Sequence, residues 1–153
     1  MASQPAPEPL TAMKLTDEIK NVVNNSFTSG KPILFAYVDP DGQPSLSFRG
    51  SAHAYSDNQI AIWIRNPEGG LLKSLNGGNN RITAMYRDPE TRASIQFRGK
   101  GTLDNSEATR ERVYNAIPEA ERNADREKKG QPLIIDLDRV DGFMPGVRIA
   151  MRR

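Results

Sequence analysis

Between residues 32 and 103 the chain repeats one pattern, runs of β-forming residues that alternate apolar and polar, most of them ended by tight turn signals. Asp39, Pro40, Asp41 and Gly42 form one such signal, Ser56 to Gln59 a second, and Asp88, Pro89, Glu90 and Thr91 a third. These are residues that reverse a chain locally, whereas parallel neighbours need a crossover of a dozen or more residues. The runs at 32–38, 45–55, 60–65, 81–87 and 92–103 are therefore expected to form antiparallel strands. A short Leu-rich helix at 71–75 interrupts them, between Gly69-Gly70 and Gly77-Gly78. Such an order favours a mainly β fold, a small barrel with flanking helices, over a layered α/β fold.

The flanks differ from this middle. Thr16 can cap a helix with Asp17 and Glu18 in its first turn, and Leu15, Ile19, Val22, Val23 and Phe27 recur at helical spacing up to Ser29-Gly30. Before it, residues 1–13 carry Pro5, Pro7 and Pro9 and read as a flexible N-terminal arm. Residues 104–130 lose all alternation and become charged, a helical excursion opened by Asp104 with Glu107 three later and divided by Pro118. A strand at 132–140, a bend at 142–146 and a short terminal strand complete a single domain spanning 14–153.

Composition removes several classes of function. With no cysteine there is no disulfide, thiolate zinc site, Fe–S cluster or Cys nucleophile, and a single histidine, His53, rules out a His–His metal site. No metal is expected, and His53 reads as a structural or interface residue. A net charge of +2 argues against strong non-specific nucleic-acid binding. No apolar run reaches the length of a membrane helix, and no secretory pattern opens the chain. The expectation is a cytoplasmic protein with neither membrane nor nucleic acid as partner.

The strand at 45–55 is the most informative. Alternation sets Leu46, Phe48, Gly50, Ala52 and Ala54 on the barrel side, and Ser47, Arg49, Ser51, His53 and Tyr55 on the other. An arginine flanked by serines suits an anionic, phosphate-like group through charge-assisted hydrogen bonds, and Gly50 allows close backbone approach. In the next strand Ile60, Ile62 and Ile64 face in, with Ala61, Trp63 and Arg65 opposite. Paired as a hairpin, the two strands would bring Trp63 beside the Ser47/Arg49/Ser51 row. That combination suits a planar cofactor with a phosphate tail, and an outward Trp and Arg equally suit a dimer interface. In the fifth run Ala93, Ile95, Phe97, Gly99, Gly101 and Leu103 face in.

The segments Ile33 to Ser45, Arg49, Ile60 to Asn66, Asn80 to Tyr86, Ile95 to Leu103 and Ile134 to Val140, following an amphipathic helix, resemble the pyridoxamine 5′-phosphate oxidase-like FMN-binding split-barrel family over residues 14–150. The resemblance implies a homodimer with FMN at its interface, the phosphate held by basic and hydroxyl groups of the second strand and of the loop after the third. Carried onto this chain, the cofactor-binding positions are Ser47, Arg49, Gly50, Ser51, Trp63, Ile64, Arg65, Asn66 and Lys73. It further implies a flavin-dependent oxidoreductase acting on a small molecule, with a deazaflavin or haem as alternatives to FMN. The reading from another class is a non-enzymatic flavin- or cofactor-binding barrel, or a cofactor-free dimeric one. No catalytic acid or base stands out. Two departures point away from pyridoxamine phosphate oxidation itself: the loop after the third strand reads Pro67-Glu68-Gly69-Gly70 instead of Ser-Arg-Lys, and the substrate-binding C-terminal segment of the true oxidases is missing.

Overall fold

The computed structural model describes residues 5–153. In chain order the elements are β1 (Pro9–Ala12), α1 (Asp17–Asn24), β2 (Ile33–Val38), β3 (Pro44–Arg49), β4 (His53–Ser56), β5 (Gln59–Ile64), α2 (Gly70–Asn76), β6 (Arg81–Arg87), β7 (Ser94–Leu103), α3 (Glu107–Ala116), α4 (Glu119–Asn123), β8 (Gln131–Met144) and β9 (Val147–Arg152). The strands share one sheet in the order β1-β9-β8-β7-β6-β2-β3, with β5 joining β4 to β8. Every ladder is antiparallel except β1 with β9.

The long β8 organises this sheet. Its first half lies between β5 and β7, and its second half between β9 and β7. That exchange of neighbours curls the sheet around a core without closing it, as expected for a split barrel. A register shift after Arg98 sharpens the bend. It falls at Gly99, where a Cβ would lie 2.1 Å from the Asp136 carbonyl oxygen, so the residue has to be glycine.

Phe35, Phe97, Ile60, Ile62, Ile95 and Leu133 are fully buried inside the curve, joined by Leu15 and, from α1, by Ile19 and Val23. Thr16 caps α1, its hydroxyl accepting from the Ile19 amide at 3.3 Å. Leading into β7 and along it, residues 93–101 alternate as the sequence indicates, the odd-numbered ones buried. On the opposite face of β5 and β8, Ala61, Trp63 and Ile134 form a second apolar cluster with Val113 and Tyr114 of α3 and with Ile117 at its end.

Four expectations change. Residues 9–12, assigned by sequence to a loose arm, are a strand on the edge of β9; residues 1–4 of that arm lie outside the described residues. Helix α1 stops at Asn24, and residues 25–30 turn back through Gly30 at φ 73°. Helix α3 is capped by Ser106, while Asp104 instead accepts from the Ser106 amide and the Thr109 hydroxyl.

The largest change is in the run at 45–55, which is two strands and not one. Gly50 and Ser51 form a turn, after which β4 pairs with β5 while β3 pairs with β2. The turn reverses the parity of the faces. Arg49 and Ser47 lie opposite Ile33 and Phe35, on the core side, and Leu46 and Phe48 are each 66% exposed.

Candidate functional site

The parity change gives Arg49 an environment that an outward-facing arginine would not have. Its side chain is half-buried at the end of β3, and its Nε is buried with no hydrogen-bond partner among the described residues. The nearby Ser47 hydroxyl is buried and unpartnered as well. No carboxylate of the described residues forms an ion pair with Arg49. Burial lowers the pKa of its guanidinium and Arg65 lowers it further, with Tyr37 and Glu121 acting in the opposite sense. A guanidinium remains charged through such shifts at neutral pH. Leaving a buried donor unmet costs about 1–3 kcal/mol, so this pair of groups marks a place built for an acceptor.

Beside it opens a cavity of about 150 Å³, bordered by Arg49, Gly50, Ser51, Trp63, Arg65 and Asn66 together with Phe48 and Glu121. Six of the nine residues singled out in the sequence therefore meet at one cleft. Ser47 does not border it. Ile64 is in the barrel core, and Lys73 is exposed on α2.

Two of the six have work other than binding. The Ser51 hydroxyl accepts from the Trp63 amide at 2.9 Å and donates to the Trp63 carbonyl at 3.3 Å, replacing a ladder bond where β4 has not yet begun. Trp63 is only 3% exposed. Its ring stacks edge-on to Tyr114 with centroids 5.3 Å apart, beneath the Arg110 guanidinium, and its Nε1 donates to Asp125. The indole face expected to meet a cofactor or a second subunit is covered by the chain's own helical excursion. His53 is likewise enclosed, with Nδ1 2.9 Å from the Ser51 carbonyl and Nε2 buried without a partner.

Sequence reasoning missed Glu121. Its carboxylate comes from α4, far along the chain, and no local pattern announces it. The one sequence signal is at the other end of the contact: a Cβ on Gly50 would fall 2.3 Å from Glu121 Oε1 and 2.5 Å from the Phe27 ring. Glycine there lets both side chains settle over the turn.

By sequence, no family model and no curated protein matches the chain. Solved structures do. A Group A Streptococcus HupZ matches with TM-score 0.67 and 19% identity, covering 87% of this chain and 97% of its own. A pyridoxamine 5′-phosphate oxidase-related, FMN-binding protein of Nostoc punctiforme matches with TM-score 0.62 and 16% identity, over 80% of this chain and 78% of its own. A Clostridium acetobutylicum protein related to general stress protein 26, of the pyridoxinephosphate oxidase family, matches with TM-score 0.63 and 12% identity, over 90% and 96%. The chain has the split-barrel fold of the pyridoxamine 5′-phosphate oxidase-like proteins.

Within this split barrel the cleft's donor set fits a phosphate group. Arg49 and Arg65 supply charge and forked donors, while the space over Gly50 is taken by the Glu121 and Phe27 side chains. The volume suits a phosphate and falls below the roughly 300–1,000 Å³ of sites that enclose a whole drug-sized ligand. Anything larger carrying that phosphate has to extend out of the cleft. Glu68, the acid in the loop that departs from Ser-Arg-Lys, is exposed and borders no part of the cleft; the acid that does is Glu121.

Proposed function

We propose that this split barrel is a cytoplasmic, FMN-dependent oxidoreductase that works as a homodimer on a small-molecule substrate. The observation that carries the reading is the half-buried Arg49, whose Nε lacks a partner beside an equally unmet Ser47 hydroxyl. A phosphate monoester would meet that need, and FMN is the phosphate-tailed cofactor named for one of the proteins that share the fold. Arg49 and Arg65 would hold the phosphate, and Asn66 stands at the same cleft. FMN, when bound, supplies the electron and hydride transfer. The chain's part is to fix and neutralise the phosphate and to keep the cleft walled by the Gly50 turn and α4.

The test is a titration of apoprotein with FMN, together with identification of any chromophore that copurifies. Arg49→Ala should weaken FMN binding by about ten- to a hundredfold, the worth of one charge-assisted contact of about 1.5–3 kcal/mol. Arg49→Lys should recover part of this, since a point charge cannot reproduce the fork. The fold should tolerate both changes, because the guanidinium removed has no ion-pair partner to strand. Equal dissociation constants for wild type and Arg49→Ala would end the assignment. Turnover of an electron acceptor by the loaded protein separates an enzyme from a barrel that only carries the cofactor.

A further inference from the structure

The Glu121 side chain is only 14% exposed, yet its ion pair with Arg65 Nε is 3.8 Å long, beyond hydrogen-bond reach. It stands over Gly50 in the cleft where Arg49 and Arg65 converge, and Arg49 feels its charge. A carboxylate drawn from water into a cleft with two arginines, without a close bond to either, occupies the position that an incoming anion would need. Its helix has no buried residue, so the side chain can leave without breaking the core.

We propose that Glu121 is a resident counter-anion and the specificity determinant of this cleft, which admits a phosphate group only as Glu121 is displaced from its place beside Arg65 and Gly50. This deepens the phosphate reading of the cleft and does not depend on the flavin. Being tethered, the carboxylate competes at a high effective concentration, so a weakly held monoanion does not remove it. A phosphate, with more charge and more acceptor oxygens for two guanidinium forks, does. The empty-handed protein thereby avoids leaving the half-buried Arg49 and the exposed Arg65 as two like charges at one cleft without a counter-charge.

Inorganic phosphate is the probe, measured by calorimetry against the full chain, with FMN and acetate in parallel. Glu121→Gln keeps the shape and removes the charge, and should bind phosphate about tenfold tighter or more, as expected from lifting one like-charge contact in a partly dry site. It should also begin to bind acetate. Glu121→Ala should move in the same direction. Glu127→Gln removes an equal charge from an exposed pair with Lys129 and should match wild type. Equal phosphate affinity in wild type and Glu121→Gln, or no phosphate binding by either, overturns the proposal. Tighter phosphate binding by Glu121→Gln with no FMN binding by any form upholds Glu121 and removes the flavin reading instead.

Discussion

Trp63 Nε1 donates to Asp125 Oδ2 at 2.8 Å, and this bond fastens the excursion after α4 to the sheet. The same carboxylate accepts from the Gly130 amide at 2.8 Å and the Lys129 amide at 3.0 Å. Burial by itself would raise the Asp125 pKa, but these bonds and Arg65 outweigh it and hold the carboxyl below its usual range. Asp125→Asn exchanges one acceptor oxygen for a donor and cannot satisfy all three. The expected loss of stability is about 1.5–3 kcal/mol, with Trp63 emission moving to the red as water reaches the indole. Unchanged emission and midpoint would show that the apolar contacts of Tyr114 and Ile117 hold the excursion alone.

His53 gives the stability a predictable response to acid. The Ser51 carbonyl can only accept, so Nδ1 carries the proton of the neutral ring. Burial lowers the imidazole pKa; the bond to Ser51 opposes this, and the charge of Arg112 adds to the lowering. The unfolded chain thus takes up this proton at higher pH than the folded one. Stability is unaffected well above about 6.5 and falls as pH drops through that value, with a limiting slope of about 1.4 kcal/mol per unit. Denaturant midpoints of wild type between about pH 5 and 6.5 should fall, and those of His53→Asn should stay level, since its amide can still donate to Ser51. Parallel curves would place the titrating group elsewhere.

Ser51→Ala separates a structural hydroxyl from a ligand. The change strands the Trp63 amide and carbonyl where the ladder has no other partner, at a cost of about 1–3 kcal/mol. Phosphate affinity, measured well below the melting transition, should match wild type. A loss like that expected of Arg49→Ala would return Ser51 to the binding set.

Strands β2, β6 and β7 were legible in the sequence because one face of each is more buried than the other. In β7, residues 95, 97, 99 and 101 show this without exception. The faces of 45–55 were not legible, because a two-residue turn at Gly50 and Ser51 shifts parity while leaving an uninterrupted alternation on the page. Every inference about Arg49 pointing outward followed from that one reading. Position along the chain was enough to gather Arg49, Gly50, Arg65 and Asn66 at one cleft. The cover over Trp63 was hidden in a charged segment whose buried apolar residues are few, Val113 and Tyr114 on α3 and Ile117 just past its end. Glu121 could not be found at all from its neighbours, since what defines it is contact with a turn far back in the chain.

Leu46 and Phe48, each 66% exposed, stand on β3, the terminal strand of the sheet's main path. Their cross-strand partners Ala36 and Leu34 continue the apolar strip onto β2, and Leu34 reaches Met85 of β6. An edge strand with an apolar face invites pairing unless something covers it. The occupant proposed above is a second copy of the chain. Phe48 also borders the Arg49 cleft, so the same contact would wall the site from outside. Phe48→Glu should therefore convert a sedimenting dimer into a monomer at micromolar concentration and weaken FMN binding although Arg49 and Arg65 are intact. Leu46→Glu, which does not border the cleft, should give the monomer too, and its FMN affinity should fall only to the extent that dimerisation closes the site. A wild-type protein that sediments as a monomer throughout the micromolar range would remove the second copy and leave the strip on β3 to another partner.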